Sequence, residues 1–336
     1  MKNDLTKKRN ACIISSGSYV PDRVVSNAFF NELLGEDVDA WLKEHVQIYE
    51  RRWCAEHEST ADLVEKACNK TLQKANITPD DIDLLIVATD TPEYISPSTA
   101  SVIQDRMKLI NAGTFDVNTA CAGFVTALDI ATKYIVSDSR YKYILVVGAY
   151  TMSKYLNMND KKTVTLFADG AGAVLLGVSN DDGTGYMQSS LMTKGEYNSW
   201  MGIYAGASHQ PTTHEVINRH DQQLKFVQKI PTHINPEIWS KMIIDLCERD
   251  KINVSEIDHF FLTQININSI MQTMDILGVD RSKAATIMHH YGYTGSACIP
   301  MAFDIWMDKG LVKKGDLVCF VGSGGGLAFG ASLFRI

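Results

Sequence analysis

The chain has 336 residues, 45% of them hydrophobic and 21% charged, which excludes disordered and fibrous classes and leaves room for two ordinary domains or one large duplicated one. A net charge of −7 argues against general nucleic-acid binding. The seven cysteines (Cys12, Cys54, Cys68, Cys121, Cys247, Cys298, Cys319) stand singly with no C-x-x-C pair, so a reducing cytoplasm is the expected home and no metal site is expected.

The opening "MKNDLTKKRNACIISSGSYVP" carries positive charge with no apolar stretch behind it, and no apolar run approaches a membrane span, so neither export nor a membrane partner is expected. Further along, the apolar periodicity predicts a strand over 83–89, a helix over 98–107, a strand over 114–118, a helix over 121–136, a strand over 143–148 and a last strand in "GAGAVLLGVS". Near-continuous apolar strands separated by helices imply a mixed sheet covered on both faces. Residues from Asn180 to Arg249 are polar and loop-rich until the helix around "NPEIWSKMIIDLCER", and 180–235 reads as a long connection.

The chain also repeats itself. "NITPDDIDLLIVATD" resembles "INVSEIDHFFLTQ", each a polar turn, an Ile-Asp pair and a buried strand, with Ile82 over Ile257 at a shift of 175. The same shift places "NTACAG" over "YTGSAC", and a shift of 174 places "ILVVGAYT" near "VCFVGSGG". Three matches in order at nearly constant spacing predict a duplicated α/β chain, with halves 1–179 and 180–336 packed about a pseudo-twofold axis as a five-layered α/β/α/β/α sandwich.

Chemistry concentrates at "FDVNTACAGFVTALDIATKYI", where a strand-like start passes into a helix-like pattern at Cys121. Phe124, Leu128 and Ile135 share one helical face, while Ala120, Ala122 and Gly123 keep the helix entry narrow. A thiol at a helix N-terminus sits in the positive end of the macrodipole, which favours thiolate and makes the sulfur a nucleophile. The other reading is a buried small hydrophobe.

The chain resembles the thiolase-like condensing enzymes, and within them the β-ketoacyl-acyl carrier protein synthase III family. The likeness runs from about Cys12 to Ile336 and rests on "GSYVPDRVVSN", "ACAGF", "FADGAGAVLL" and the closing "GGGLAFGASLFRI". It implies a thiolase-like fold and acylation of Cys121 by coenzyme A or an acyl carrier protein, with Gly325 supplying the second oxyanion N–H beside the nucleophile's own. It also implies a homodimer, and acyl-CoA or acyl-phosphopantetheine as substrate rather than a permanently bound cofactor. Trp41 resembles the tryptophan that stacks on adenine, and Lys161 lies at an arginine position on the same cofactor path. The family's "GIRER" reads "QIYERR" here, which keeps Arg51 and Arg52 but not the glycine.

The likeness breaks at one site. The family's "PHQAN" histidine falls on Thr263 in "LTQIN", and its "GN" asparagine falls on Tyr293 in "YGYTGSA". Both members of the pair that assists decarboxylation of malonyl-carrier are thus replaced. Threonine is no acid or base near neutral pH, and tyrosine titrates at about 10. The phenylalanine before the triple glycine is Ser323, and an arginine that meets the cofactor phosphate falls on Asn268. Two substitutes suggest themselves. His290, beside His289, is either a replacement base or an ordinary strand-end histidine. Glu93 in "TPEYISPST" lies where some relatives that condense without losing carbon dioxide carry a carboxylate, and is otherwise a solvated loop residue. The leading expectation is an acyltransferase or condensing enzyme of the synthase III type. The alternative is a structural or regulatory partner subunit of another condensing enzyme.

Overall fold

The apolar runs become two sheets in the computed structural model, which describes residues 9–181 and 183–336. The first sheet is built from β1 (Asn10–Tyr19), β2 (Leu84–Ala88), β3 (Gly113–Val117), β4 (Ile144–Thr151) and β5 (Asp169–Ser179). They lie in the order β1-β5-β4-β2-β3, with β2 parallel to β3 and β4, and β5 antiparallel to β4 and β1. The second sheet takes β6 (Gly185–Thr193), β7 (His259–Leu262), β8 (Leu317–Gly324) and β9 (Ala328–Arg335), in the order β7-β8-β9-β6.

Six main helices complete the layers: α1 (Thr60–Ala75), α2 (Thr99–Arg106), α3 (Gly123–Ser137), α4 (Ile234–Asp250), α5 (Ile267–Leu277) and α6 (Cys298–Asp308). α1 and α2 cover the outer face of the first sheet, α4 and α5 that of the second, and α3 and α6 fill the middle. The fold is a duplicated thiolase-like α/β/α/β/α sandwich. β2 shows why its strand reads as unbroken hydrophobicity. Leu84, Ile86 and Ala88 face the central core, while Leu85 and Val87 face the core under α1 and α2.

The duplication is visible element by element. Pro79–Asp81 and Val254–Glu256 are single 3-10 turns with a capping box, Thr78 with Asp81 and Asn253 with Glu256, each leading into a buried strand. A 3-10 turn also opens each central helix, Ala120–Ala122 before α3 and Gly295–Ala297 before α6. Each turn begins left-handed, with φ 47° at Ala120 and 50° at Gly295. The counterpart of edge strand β3 is reduced to a parallel bridge between Phe260 and Ala284.

Two sequence-based expectations need adjustment. β6 lies inside the segment that reads as a connection. Its sequence, GYMQSSLMT, is half-buried at a sheet edge, so it lacks the apolar run that marks the central strands. The segment Ala120–Ser137 is long and apolar enough to cross a membrane, but it is the central helix and 67% of it is buried. We propose that the passage from one sheet to the other after Ser179 bounds the halves 1–179 and 180–336.

Candidate active site

Cys121 sits in the turn between β3 and α3, at the middle of the sandwich and 2% exposed. The close fit of strand and helix starts explains the small residues around it. A Cβ on Gly148 of β4 would meet the Ser296 carbonyl oxygen at 2.1 Å, and one on Gly324 would meet the Cys121 nitrogen at 2.4 Å. The glycine turn after β8 therefore lies directly against the Cys121 backbone. Gly325 follows, with a would-be Cβ 3.9 Å from that of Ala120.

The electrostatics differ from those the helix start predicts. Burial pushes the Cys121 thiol well above its ordinary value, and the negative charge of Asp90 adds to this. The neighbouring Tyr293 hydroxyl pulls the other way. Tyr293 is itself pushed far above its usual range by burial, so it stays a protonated donor.

A cleft of about 430 Å³ reaches this thiol. Trp41 and Lys162 are on its wall with Phe226 and Leu327, and Cys121 and Tyr293 are its buried end. Trp41 is 52% exposed and leans on His45 with ring centroids 5.4 Å apart. Exposed Lys162 and Lys229 add positive charge to a wall that mixes apolar side chains with Gln228, Asn235 and Asn266.

Residues 115–195 match the family described as 3-Oxoacyl-[acyl-carrier-protein (ACP)] synthase III, and residues 247–336 match its C-terminal part. The beta-ketoacyl-[acyl-carrier-protein] synthase III of Clostridioides difficile (strain 630) is 34% identical over 325 residues, 97% of this chain and 98% of that one. That of Natranaerobius thermophilus is 35% identical over 332 residues, 97% and 99% of the two chains. The crystal structure of 3-oxoacyl-[acyl-carrier-protein] synthase III from Aquifex aeolicus VF5 superposes with a TM-score of 0.88 at 28% identity, covering 97% of this chain and 100% of that one. The chain belongs to the 3-oxoacyl-[acyl-carrier-protein] synthase III family. It is an acyltransferase of that type.

Within this synthase III site, several residues singled out by sequence do something other than expected. Arg51 is fully buried beneath the Phe30 ring, and its guanidinium donates to Val25 O, Asn27 Oδ1 and the Thr165 carbonyl. It anchors the fold and is closed to a cofactor, because both terminal nitrogens are spent on buried oxygens, while Nε is buried with no partner among the described residues. Thr263 is also buried, and its hydroxyl accepts from Ser323 N at 2.9 Å. It braces β8 instead of occupying the cleft, since a side chain shorter than histidine reaches only the neighbouring backbone.

The candidates nearer the surface are likewise committed. Lys161 pairs with Glu36 at 3.0 Å, leaving Lys162 on the cleft. Asn268 is exposed and donates to His45 O at 2.9 Å, while Asn266 and Ser269 line the cleft. His290 is exposed, 3.5 Å from Glu50, and His289 bonds Gln47 O at 2.7 Å. Glu93 accepts from Ala61 N at 2.8 Å in the first turn of α1.

Sequence reasoning missed Asp90 and Tyr150. Asp90 stands two residues beyond β2, and burial pushes its carboxyl up to about 6. Tyr150 on β4 packs on Gly295, and its ring centroid lies 6.4 Å from that of Tyr293. The signal for Asp90 was present as a charge two residues behind five buried strand residues in "LLIVATD".

Proposed function

We propose that the chain takes an acyl group from coenzyme A or an acyl carrier protein onto Cys121 and passes it to a second thioester or another acceptor. The observation that carries this reading is the Cys121 thiol at the closed end of a cleft whose glycine turn lies against the nucleophile's own backbone nitrogen. The Cys121 and Gly325 N–H groups would hold the thioester oxygen as the carbon becomes tetrahedral. Tyr293 would donate to the sulfur, offsetting part of the cost of a buried thiolate. Trp41, Lys162 and Lys229 would receive the nucleotide or phosphopantetheine arm, with Lys162 taking the part first expected of Lys161.

In the second half-reaction, Thr263 and Tyr293 stand where the family carries its histidine and asparagine, and Thr263 is committed to the backbone. Decarboxylation of a malonyl thioester therefore lacks its usual charge stabilisation. A partner subunit without chemistry is the less favoured reading, since it would need neither the thiol nor the cleft. Intact-protein mass spectrometry against a panel of acyl-CoA and acyl-carrier donors tests the proposal. One acyl mass should appear on Cys121 and vanish in Cys121→Ala, with Cys298 and Cys319, both 0% exposed, left free. Acylation elsewhere would overturn it.

We further propose a homodimer through the β3 edge, flanked by exposed Ile95 (83%), Ile110 (66%) and Tyr94 (53%). Pairing of that edge would remove an open strand and an apolar patch together. Seven free cysteines fit a reducing cytoplasm.

A further inference from the structure

We propose that Tyr293 and Ser323 form an uncharged, two-hydroxyl subsite beside Cys121, and that the second substrate it takes is a 3-oxoacyl thioester, condensed without loss of carbon dioxide. This deepens the acyl-transfer reading above and rests on Cys121 being the acylated residue. Both side chains line the cleft that ends at the thiol, Tyr293 at 1% exposure and Ser323 at 6%. Neither hydroxyl has a hydrogen-bond partner among the described residues, and neither oxygen is sealed from solvent, so both open onto the cleft. Their backbones hold them in place. Tyr293 N donates to Leu166 O at 2.9 Å, Ala168 N donates to Tyr293 O at 2.9 Å, and the ring packs on Phe167 with centroids 5.4 Å apart. Ser323 N donates to Thr263 Oγ1 at 2.9 Å. On either side of it, Gly322 and Gly324 press on the nucleophile's backbone, with would-be Cβ atoms 3.4 Å from Cys121 O and 2.4 Å from Cys121 N. Fixed donors with nothing to bond are suited to charge that develops on a bound oxygen.

Charge, shape and reactivity select the occupant together. Among the described residues, the lysines lining the cleft are Lys162 and Lys229, both exposed, and no arginine lines it. A malonyl carboxylate carried to the closed end would therefore lose water without gaining a counter-ion. The ring lost where serine replaces the family's phenylalanine at 323, and the ring gained where tyrosine replaces asparagine at 293, move the space beside the thiol rather than enlarge it. The second substrate accordingly differs in shape from malonyl. In a 3-oxoacyl thioester two carbonyls flank C2, so an enol forms without decarboxylation and spreads its charge over two oxygens, a match for two hydroxyl donors. In the condensation the enol C2 bonds to the acyl carbon, the bond from that carbon to the Cys121 sulfur breaks, and the enol proton ends on the sulfur. The product is a 2-acyl-3-oxoacyl thioester, and the thiol is restored.

The test is a chase of the acylated full chain. Cys121 is first loaded from the panel of acyl-CoA and acyl-carrier donors, and the acyl-enzyme is then offered 3-oxobutanoyl, 3-oxooctanoyl or malonyl thioesters, each on coenzyme A and on acyl carrier protein. Loss of the acyl mass from the protein and appearance of the product mass are followed together. At least one 3-oxoacyl thioester should discharge Cys121 at least about tenfold faster than malonyl on the same carrier, with a 2-acyl-3-oxoacyl product. The arm that reacts identifies the carrier. Ser323→Ala keeps the backbone N–H that Thr263 uses, so it should load as the wild type does, yet discharge by the 3-oxoacyl thioester should fall at least about tenfold. Ser323→Thr, which keeps the hydroxyl, should stay within about threefold of the wild type. Malonyl equal to or faster than both 3-oxoacyl thioesters would overturn the proposal, as would discharge by none of them or an unchanged rate in Ser323→Ala. Failure of every donor to label Cys121 would instead bring down the nucleophile reading on which it stands.

Discussion

At the scale of single residues, the site is governed by what burial does to charge. Asp90 titrates at about 6 in the folded chain against a reference of 3.8, so between those values the folded state binds the proton and the unfolded state does not. The penalty is absent below the reference value, grows as pH rises through that window and is complete above about 6. Asp90→Asn should therefore stabilise the protein at pH 8 by up to roughly 3 kcal/mol, a gain that disappears near pH 3.5. Denaturant unfolding of both proteins across this range measures it, and a pH-independent difference would contradict the assignment.

Thr263 and Tyr293 make a second prediction at this scale. Loss of one positioned donor at such a site typically costs about 10²–10³ in rate. Carbon dioxide release from malonyl-carrier should accordingly be slow even after Cys121 is acylated. Thr263→His together with Tyr293→Asn raises it only if the cleft still admits the substrate. Ordinary release by the wild type would mean that another group has assumed the role.

Among elements, the decisive contacts are those where backbone meets backbone. Gly148→Ala would place a methyl 2.1 Å from the Ser296 carbonyl, with no flexible side chain available to move aside. It should destabilise by about 3 kcal/mol or prevent folding, by the cost of overpacking a rigid core. Arg51 ties the short strand Glu50–Arg52 to Val25, Asn27 and Thr165. Arg51→Met leaves three buried acceptors without donors, and should lower stability by roughly 3 kcal/mol while leaving the KM for acyl-CoA unchanged in the folded protein. A raised KM at unchanged stability would restore Arg51 to the cofactor path.

For the whole molecule, β3 is the one edge of the first sheet beside the nucleophile's loop, and the apolar residues around it are exposed in the single chain. Ile95→Asp with Ile110→Lys should shift a homodimer toward monomer in sedimentation velocity at micromolar concentration. A wild-type monomer under the same conditions would place the interface elsewhere or nowhere.

Much of this architecture is legible in the order of residues because it is periodic. Alternating apolar strands and helices, and a repeat at a shift of 175, are local patterns that survive without knowledge of contacts. Cys121 is legible for a similar reason, since small residues at a helix entry mark a close approach. β6 was not, because an edge strand half-covered by neighbours needs no apolar run. The fates of Arg51, Thr263 and Asp90 were decided only in three dimensions. An arginine reads the same whether its donors face solvent or three buried carbonyl and amide oxygens. A carboxylate reads the same whether water or nothing satisfies it, and desolvation depends on atoms that only the folded chain brings around it.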